Sequence, residues 1–527
     1  MVVSQASLAA TYYVGPLGDD TSGDGSQAKP FKSLSRACGR ATSSGDVIYI
    51  APGSYSDENP CSLKTGVKIQ GAGKDVVKIS SNIISYIDGT SSTPSVIGNN
   101  EISGISFYGS GSNRCIYSSG RSGQKIYDCY FESFDKAIEL VGKYPKFQAS
   151  CGSTPSSSAI YCDDDARLST EPSSTDWAEN VEVYNNTVKD AGLMFHTIKS
   201  AKIHHNTIDN SGSLKSGVGN TSYWWNGVEF YANTIRVQTI AWSTIALEVW
   251  LVEGNTRFYD NWTNGWFSII KNPTGIKTPY SWQIVNNTFE SDVQRGLGSG
   301  DVGCALETCY FAENVLIEGN YFVNTGANKT YMRAIGVWGY GVNKNMIIKN
   351  NVIKNIEGDA IFISSTNETK QLFYGSSIYI YNNVIDNTRN GLSQGIAIID
   401  GAGDIDNIYI KNNIFMTVNM GVLIYPNSHS VSGVEFTNNV VYNGKGFTSD
   451  MSSGGFSVVK DNFTFAPDIN ATGQVPYPYY TPKGQAANIV NRGVNVGIPF
   501  SGSAPDIGAY EFIESELKPP LGVRVVQ

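Results

Sequence analysis

The sequence predicts an all-β protein wound as a parallel β-helix, a β-solenoid of about 11 or more coils. Three observations predict it. A phrase recurs along the chain, as in "VEVYNNTVKD", "WQIVNNTFES", "MIIKNNVIKN" and "IYIYNNVIDN". Its last Asn falls at Asn186, Asn206, Asn233, Asn261, Asn287, Asn320, Asn351, Asn383, Asn413, Asn439 and Asn462, with gaps of 20 to 33 residues. That is the spacing of a solenoid with insertions rather than of separate domains. The composition is rich in turn formers and poor in charge, with 55 Gly, 30 Tyr, 41% apolar and 16% charged residues, against roughly 25% charged in ordinary soluble proteins.

From the N-terminus, a cap over residues 11–50 is expected: a helix-compatible "KSLSRACGRA" sits between a Gly/Asp loop and the strand "DVIYIAPG", and a solenoid needs its first coil covered. Each coil then opens on alternating apolar residues (Val181 and Val183, Ile378 and Ile380, Ile408 and Ile410), the period of a half-buried strand. A β-branched or aromatic pair, a Gly and a second apolar run such as "GDAIFIS" or "MGVLIY" follow, giving two or three strands per coil. The Asn suits a tight corner because it tolerates the left-handed conformation, and its amide can donate to one coil and accept from another. His205 stands where Asn185 and Asn382 stand and takes a corner role. Residues 1–512 are read as one β-helix domain, and 513–527 as a Pro-containing linker leading to a further module.

The N-terminal phrase, the N-N-x-[VI] ladder and the closing "SAPDIGAYEF" resemble the pectate-lyase-like superfamily of secreted right-handed parallel β-helix proteins, over roughly residues 11–512. The resemblance implies activity on an extracellular polysaccharide. It does not extend to the calcium and arginine signatures of the classical pectate lyases, nor to alginate or chondroitin lyase motifs.

Net charge is -9 and no basic run occurs, so nucleic acid is not an expected partner. No apolar window is long enough to span a membrane. The eight cysteines fall in neighbouring pairs, Cys38–Cys61, Cys115–Cys129, Cys151–Cys162 and Cys304–Cys309, which points to disulfides in an oxidising compartment, with free buried thiols as the alternative. A secreted or cell-surface location follows from the cysteines.

Two regions break the repeat. Residues 143–177 form an insertion that carries Cys151, Cys162 and the run Asp163, Asp164, Asp165; it reads as a stapled loop, of the kind that walls a groove, or as a hard-cation site. Eight of nine tryptophans lie between Trp224 and Trp338. A solenoid interior is filled by Val and Ile layers, so the reading puts Trp224, Trp225, Trp250, Trp266 and Trp338, with Tyr340, on the outer face as a sugar-stacking groove, or else beneath long loops.

The same region supplies Glu229, Glu248, Lys271 and Arg333, all read as outward strand residues, with His196 as a further general base. Two chemistries use such groups. In β-elimination on a uronate, Lys271 or Arg333 takes the C5 proton while calcium, held by Glu229, Glu248 and Asp260, neutralises the carboxylate. In hydrolysis, Glu229 and Glu248 flank the bond as a carboxylate pair. The leading reading is a lyase on an acidic polysaccharide; the alternatives are a glycoside hydrolase and a non-catalytic glycan-binding surface solenoid.

Overall fold

A computed structural model describes residues 9–56, 60–80, 84–86, 96–142, 172–213, 216–237, 245–270, 281–291, 304–309, 314–325, 333–338, 345–364, 377–388, 391–399, 404–425, 430–451, 454–470 and 480–513. They group into two compact units. Unit 1 comprises Met1–Gln238, Leu247–Trp250 and Thr274–Lys277, and unit 2 comprises Thr239–Ala246, Leu251–Pro273 and Thr278–Gln527.

Both units are parallel β-helices of three faces. In unit 1 a representative coil runs Glu182–Tyr184 on face one, Thr187–Lys189 on face two and Gly192–His196 on face three, before the chain returns to face one at Lys202–His204. Each strand pairs in parallel with its equivalent one coil on. In unit 2 the coil Ile378–Tyr381, Val384–Asp386, Ile396–Ile399 repeats the plan. Alternation decides what each strand buries. On face one, Ile348, Ile380 and Ile410 stack inward and are fully buried, each contributing roughly 2 kcal/mol of apolar burial. Tyr379 and Tyr409 stack outward with ring centroids 5.2 Å apart.

The corner between faces one and two separates two roles that the sequence reading had given to one Asn. The left-handed residue is the penultimate one: Asn185, His205, Asn286, Asn350, Asn382, Asn412 and Asn438 all have φ between 53° and 59°. The last Asn points inward and forms the ladder. The Nδ2 of Asn383 donates to Asn413 Oδ1 (2.9 Å) and to the Ile348 carbonyl (2.9 Å), while the Asn383 backbone N–H donates to the same Oδ1 (2.9 Å). The pattern runs from Asn186 to Asn233 in unit 1 and from Asn261 to Asn462 in unit 2. Every amide atom is used within the solenoid, so none is offered to a ligand.

The predicted cap is present. Helix α1, Leu34–Arg40, starts at Ser33, whose hydroxyl accepts from the Arg36 N–H (3.2 Å). It buries Leu34, Ala37 and Cys38. A disulfide ties Cys38 to Cys61 at the first strand of face three, and closing a loop of this size contributes roughly 3 kcal/mol.

Two further pairs follow the alternative of buried thiols rather than disulfides. Cys115 and Cys129 are buried free thiols. Cys129 occupies the ladder position of its coil: its N–H donates to Asn186 Oδ1 (3.1 Å), and its thiol lies 3.9 Å from the Ile102 carbonyl, where later coils place a ladder amide. Burial pushes its pKa up to about 12. Cys304 is a buried thiol. It opens the strand Cys304–Cys309, and residues five apart on one strand are about 16 Å apart, beyond the reach of a disulfide. Cys151 and Cys162 lie outside the described residues.

At the C-terminus, residues 464–470 and 480–513 lie along the outside of face two of unit 2. Ile469, Tyr480, Ile489, Ile507, Ala509 and Tyr510 pack on the outward column Val352, Val384, Ile414 and Val440. Asn382 Nδ2 donates to the Asp506 carbonyl (2.8 Å), and Asn412 exchanges bonds of 2.8 Å with Val494. The "SAPDIGAYEF" phrase is the end of this strap.

Candidate functional site

With face two strapped in unit 2 and face one lined by cross-strand pairs such as Lys125–Glu182 and Lys349–Glu318, the unusual outward residues lie on face three. In unit 1 its registers align Ile116, Ile138 and Leu193 inward, then Tyr117, Glu139 and Met194 outward. Ser118, Leu140 and Phe195 follow inward, then Ser119, Val141 and His196 outward. The inward six are fully buried. At the near end of the same strands Arg114 pairs with Lys136.

Arg114, Tyr117 and Glu139 form one cluster, and His196 stands toward the other end of the same strands. Arg114 Nε lies 2.6 Å from Glu139 Oε2, and its guanidinium sits 5.1 Å from the Tyr117 ring centroid. Glu139 and His196 are each only 3% exposed. Burial lifts the Glu139 carboxyl above its ordinary range, against the pull of Arg114 and Lys136. Burial, and then the positive charges of Lys136 and Arg114, hold His196 down to about 4. The result is a neutral imidazole on a face that also carries two cations. Arg114, Tyr117, Lys136 and Glu139 were not picked out in the sequence. The available signal was "DKAIELVGK", a charged residue in the middle of an apolar strand immediately before the insertion.

Glu248 and Trp250 stand on the same face, in the strand Leu247–Glu253, two steps along the sheet from the His196 strand. Glu248 is 2% exposed and accepts from Trp250 Nε1 (3.0 Å). Glu229 is elsewhere: it lies on face one, in the strand Glu229–Tyr231, opposite Lys202, so it makes no pair with Glu248. Alternation tells inward from outward but does not say which of three faces is outward. Asp260 holds a left-handed corner position in unit 2, with φ 56°, the place of Asn185 in its coil. Among the described residues no group of three or more His, Cys, Asp or Glu converges.

The tryptophan groove is also corrected. Trp224 and Trp225 are 1% and 0% exposed. Trp225 packs on Phe195 and Phe230, and its Nε1 donates to the Phe195 carbonyl (3.1 Å). Trp224 takes a left-handed conformation, φ 56°, within the strand Val218–Asn226. Trp282 is buried as well. Trp262 is half-buried on face two and donates to Glu290 (3.1 Å), while Trp266 is half-buried just before the face-three strand Phe267–Ile270. Trp338 belongs to the face-three strand Arg333–Trp338, where Arg333 also lies. Lys271, Tyr340, Trp242 and the aspartates of the insertion lie outside the described residues.

A family described as "Protein of unknown function (DUF1565)" matches residues 17–124, which include the cap and first coils. No curated protein matches the chain. Among solved structures, a variant catalytic domain of GH87 alpha-1,3-glucanase in complex with tetrasaccharides is 14% identical, over 82% of this chain and 67% of that one, with a TM-score of 0.42. The mannuronan C-5 epimerase AlgE4 A-module of Azotobacter vinelandii is 12% identical over 85% and 100%, with a TM-score of 0.43. An N-terminal fragment of the bacteriophage Phi29 gene product 12 is 14% identical over 77% and 69%, with a TM-score of 0.44. These are distant likenesses of fold, and the parallel pairing described above establishes the fold itself.

Proposed function

We propose that this protein is a secreted enzyme that cleaves a uronate-containing polysaccharide by β-elimination on face three of unit 1. The observation that supports it best is the grouping of His196, Lys136 and Arg114 on one outer face. A uronate carboxylate bound by Arg114 and Lys136 would have its negative charge neutralised, which acidifies the adjacent C5–H. His196, uncharged at neutral pH, takes that proton as general base. The C5–H electron pair forms the C4–C5 double bond, the C4–O bond breaks, and the departing oxygen is protonated by water. Glu139 acts as a positioning residue that holds the Arg114 guanidinium. Because His196 is 3% exposed, substrate entry requires a local opening over this face. The Cys38–Cys61 disulfide supports an oxidising compartment, and no helix among the described residues is long and apolar enough to cross a membrane.

Hydrolysis by paired carboxylates has weaker support. The two buried glutamates of this face, Glu139 and Glu248, stand three sheet steps apart, about 14 Å across the sheet, whereas hydrolases need roughly 5 to 9.5 Å. Incubation with a panel of uronate and neutral polysaccharides separates the readings. A rise in the ultraviolet absorbance of unsaturated uronate is the expected outcome. Reducing ends without that absorbance mean hydrolysis, and binding without either product means a glycan-binding solenoid.

A further inference from the structure

The corner column of unit 1 departs from its own pattern in one coil. The penultimate corner position needs only a left-handed backbone, which Asn185 supplies at φ 55° and Ala232 at φ 52°. Between them stands His205, at φ 54° and exposed. It directly follows His204, which sits on the outward column of face one between Tyr184 and Tyr231. Nothing in the winding asks for an imidazole at that corner.

The two rings are set for chelation. His204 Nδ1 and His205 Nδ1 are 2.8 Å apart, and the ring planes cross at 85°. Against the cost of burial, Lys125 and His204 hold the Glu182 carboxyl below its ordinary range, and its Oε1 lies 3.4 Å from His204 Nε2. An ionised carboxylate can only accept, so the His204 proton sits on Nε2 and its Nδ1 carries the lone pair. A carboxylate behind an imidazole is the arrangement that orients metal-bound histidines. Burial holds the His204 imidazole below its ordinary value, which keeps it neutral, as a ligand must be. Tyr184 and Tyr231 stack on it with centroids 5.1 and 4.6 Å away and planes within 9°, fixing the ring.

The separation selects the ion. Two imidazole nitrogens roughly 2.0 to 2.1 Å from one metal and 2.8 Å from each other subtend about 86° there. That is the cis angle of a tetragonal ion, whereas a tetrahedral pair would lie about 3.3 Å apart. We propose that His204 and His205 chelate a transition-metal ion of tetragonal preference, copper(II) above all, at the corner of face one of unit 1. The amide oxygen of Asn185, exposed at the same corner one coil earlier, and water complete the coordination. The site stands on a different face from His196 and does not depend on the chemistry assigned there.

Copper(II) chloride titrated into the full chain in glycine buffer, followed by calorimetry and electron paramagnetic resonance, tests it. A single equivalent should bind with a tetragonal signal split by two imidazole nitrogens. His205→Asn installs the residue that other coils use at this corner, so the β circular dichroism should persist while affinity falls about a hundredfold. Glu182→Gln should weaken binding about tenfold. Copper held as tightly and with the same signal by folded His205→Asn protein overturns the site, as does the lack of a two-nitrogen signal from the unaltered protein.

Discussion

The corner ladder and face three of unit 1 are built by the same winding, one residue per coil in register, and they end as opposites. At the corner the residue is repeated, so each Asn meets its own kind and every amide atom is satisfied by the coils on either side. On face three the outward columns change with every coil, from Tyr117 to Glu139 to Met194, and from Ser119 to Val141 to His196. A column that repeats can close on itself. A column that varies leaves its polar groups to be matched by something other than the next coil, and here a buried carboxyl, a neutral imidazole and two cations share one face. In a solenoid, repetition marks scaffold and its local failure marks chemistry.

The largest expected contrast is between the two kinds of side chain under mutation. His196→Gln should lower formation of unsaturated product by about a thousandfold with an unchanged β circular dichroism spectrum; wild-type turnover in that variant would remove His196 from the mechanism. Asn383→Ala should do the reverse. It strands partners inside the ladder, so stability in urea should fall by about 3 kcal/mol, while the protein that remains folded keeps its turnover.

Next in size is the charge around His196. Lys136→Gln removes one of the cations that disfavour imidazolium, so the acidic limb of the activity profile, expected near pH 4, should move toward the ordinary histidine value of 6.5 as KM rises severalfold. The linked stability effect has a defined sign. With a folded pKa below the unfolded one, the unfolded chain binds the proton more readily. This contribution is therefore complete above pH 6.5 and is lost as pH falls from about 6.5 toward 4. A flat unfolding profile across that window would contradict the burial of a neutral His196.

The smallest effect belongs to the strap. Burial, and then the nearby Asp506, push Glu511 up to about 7 from 4.5, although its oxygens accept from the Asp506 and Ser501 N–H groups (2.9 and 3.4 Å). A raised carboxyl stabilises the fold below pH 4.5 and loses that contribution as pH rises through 7. The melting temperature should decline slightly across this range, and Glu511→Gln should flatten the decline.

The fold was legible because a solenoid writes its register into the sequence many times over. The division of labour at the corner was not, since Asn382 and Asn383 are the same residue type and only the backbone angle distinguishes them. The site was partly legible. His196, Glu248 and Arg333 do lie on face three, but Glu229 shares their alternation and lies on face one. Arg114 and Glu139 sit in coils before the ladder phrase becomes regular, so no contrast with a repeating pattern drew attention to them. The tryptophans misled because the interior does admit indoles: Trp225 packs on Phe195 and Phe230 and its Nε1 is satisfied by the Phe195 carbonyl. Of the cysteine pairs, Cys38–Cys61 was legible, whereas Cys304 and Cys309 misled because five residues along one extended strand are too far apart to bridge.

The strap also sets an order of assembly. Its bonds join residues far apart in the chain: 82 positions for Asn412 and Val494, 94 for Asp386 and Tyr480, and 124 for Asn382 and Asp506. Neighbouring coils need only some 20 to 35 residues to find each other, so winding proceeds locally and fast, whereas the strap has nowhere to land until the coils from Val352 to Val440 exist. Its docking site is complete only once those coils are wound, and a chain whose winding stalls short of Val440 is left with an apolar stripe open to water.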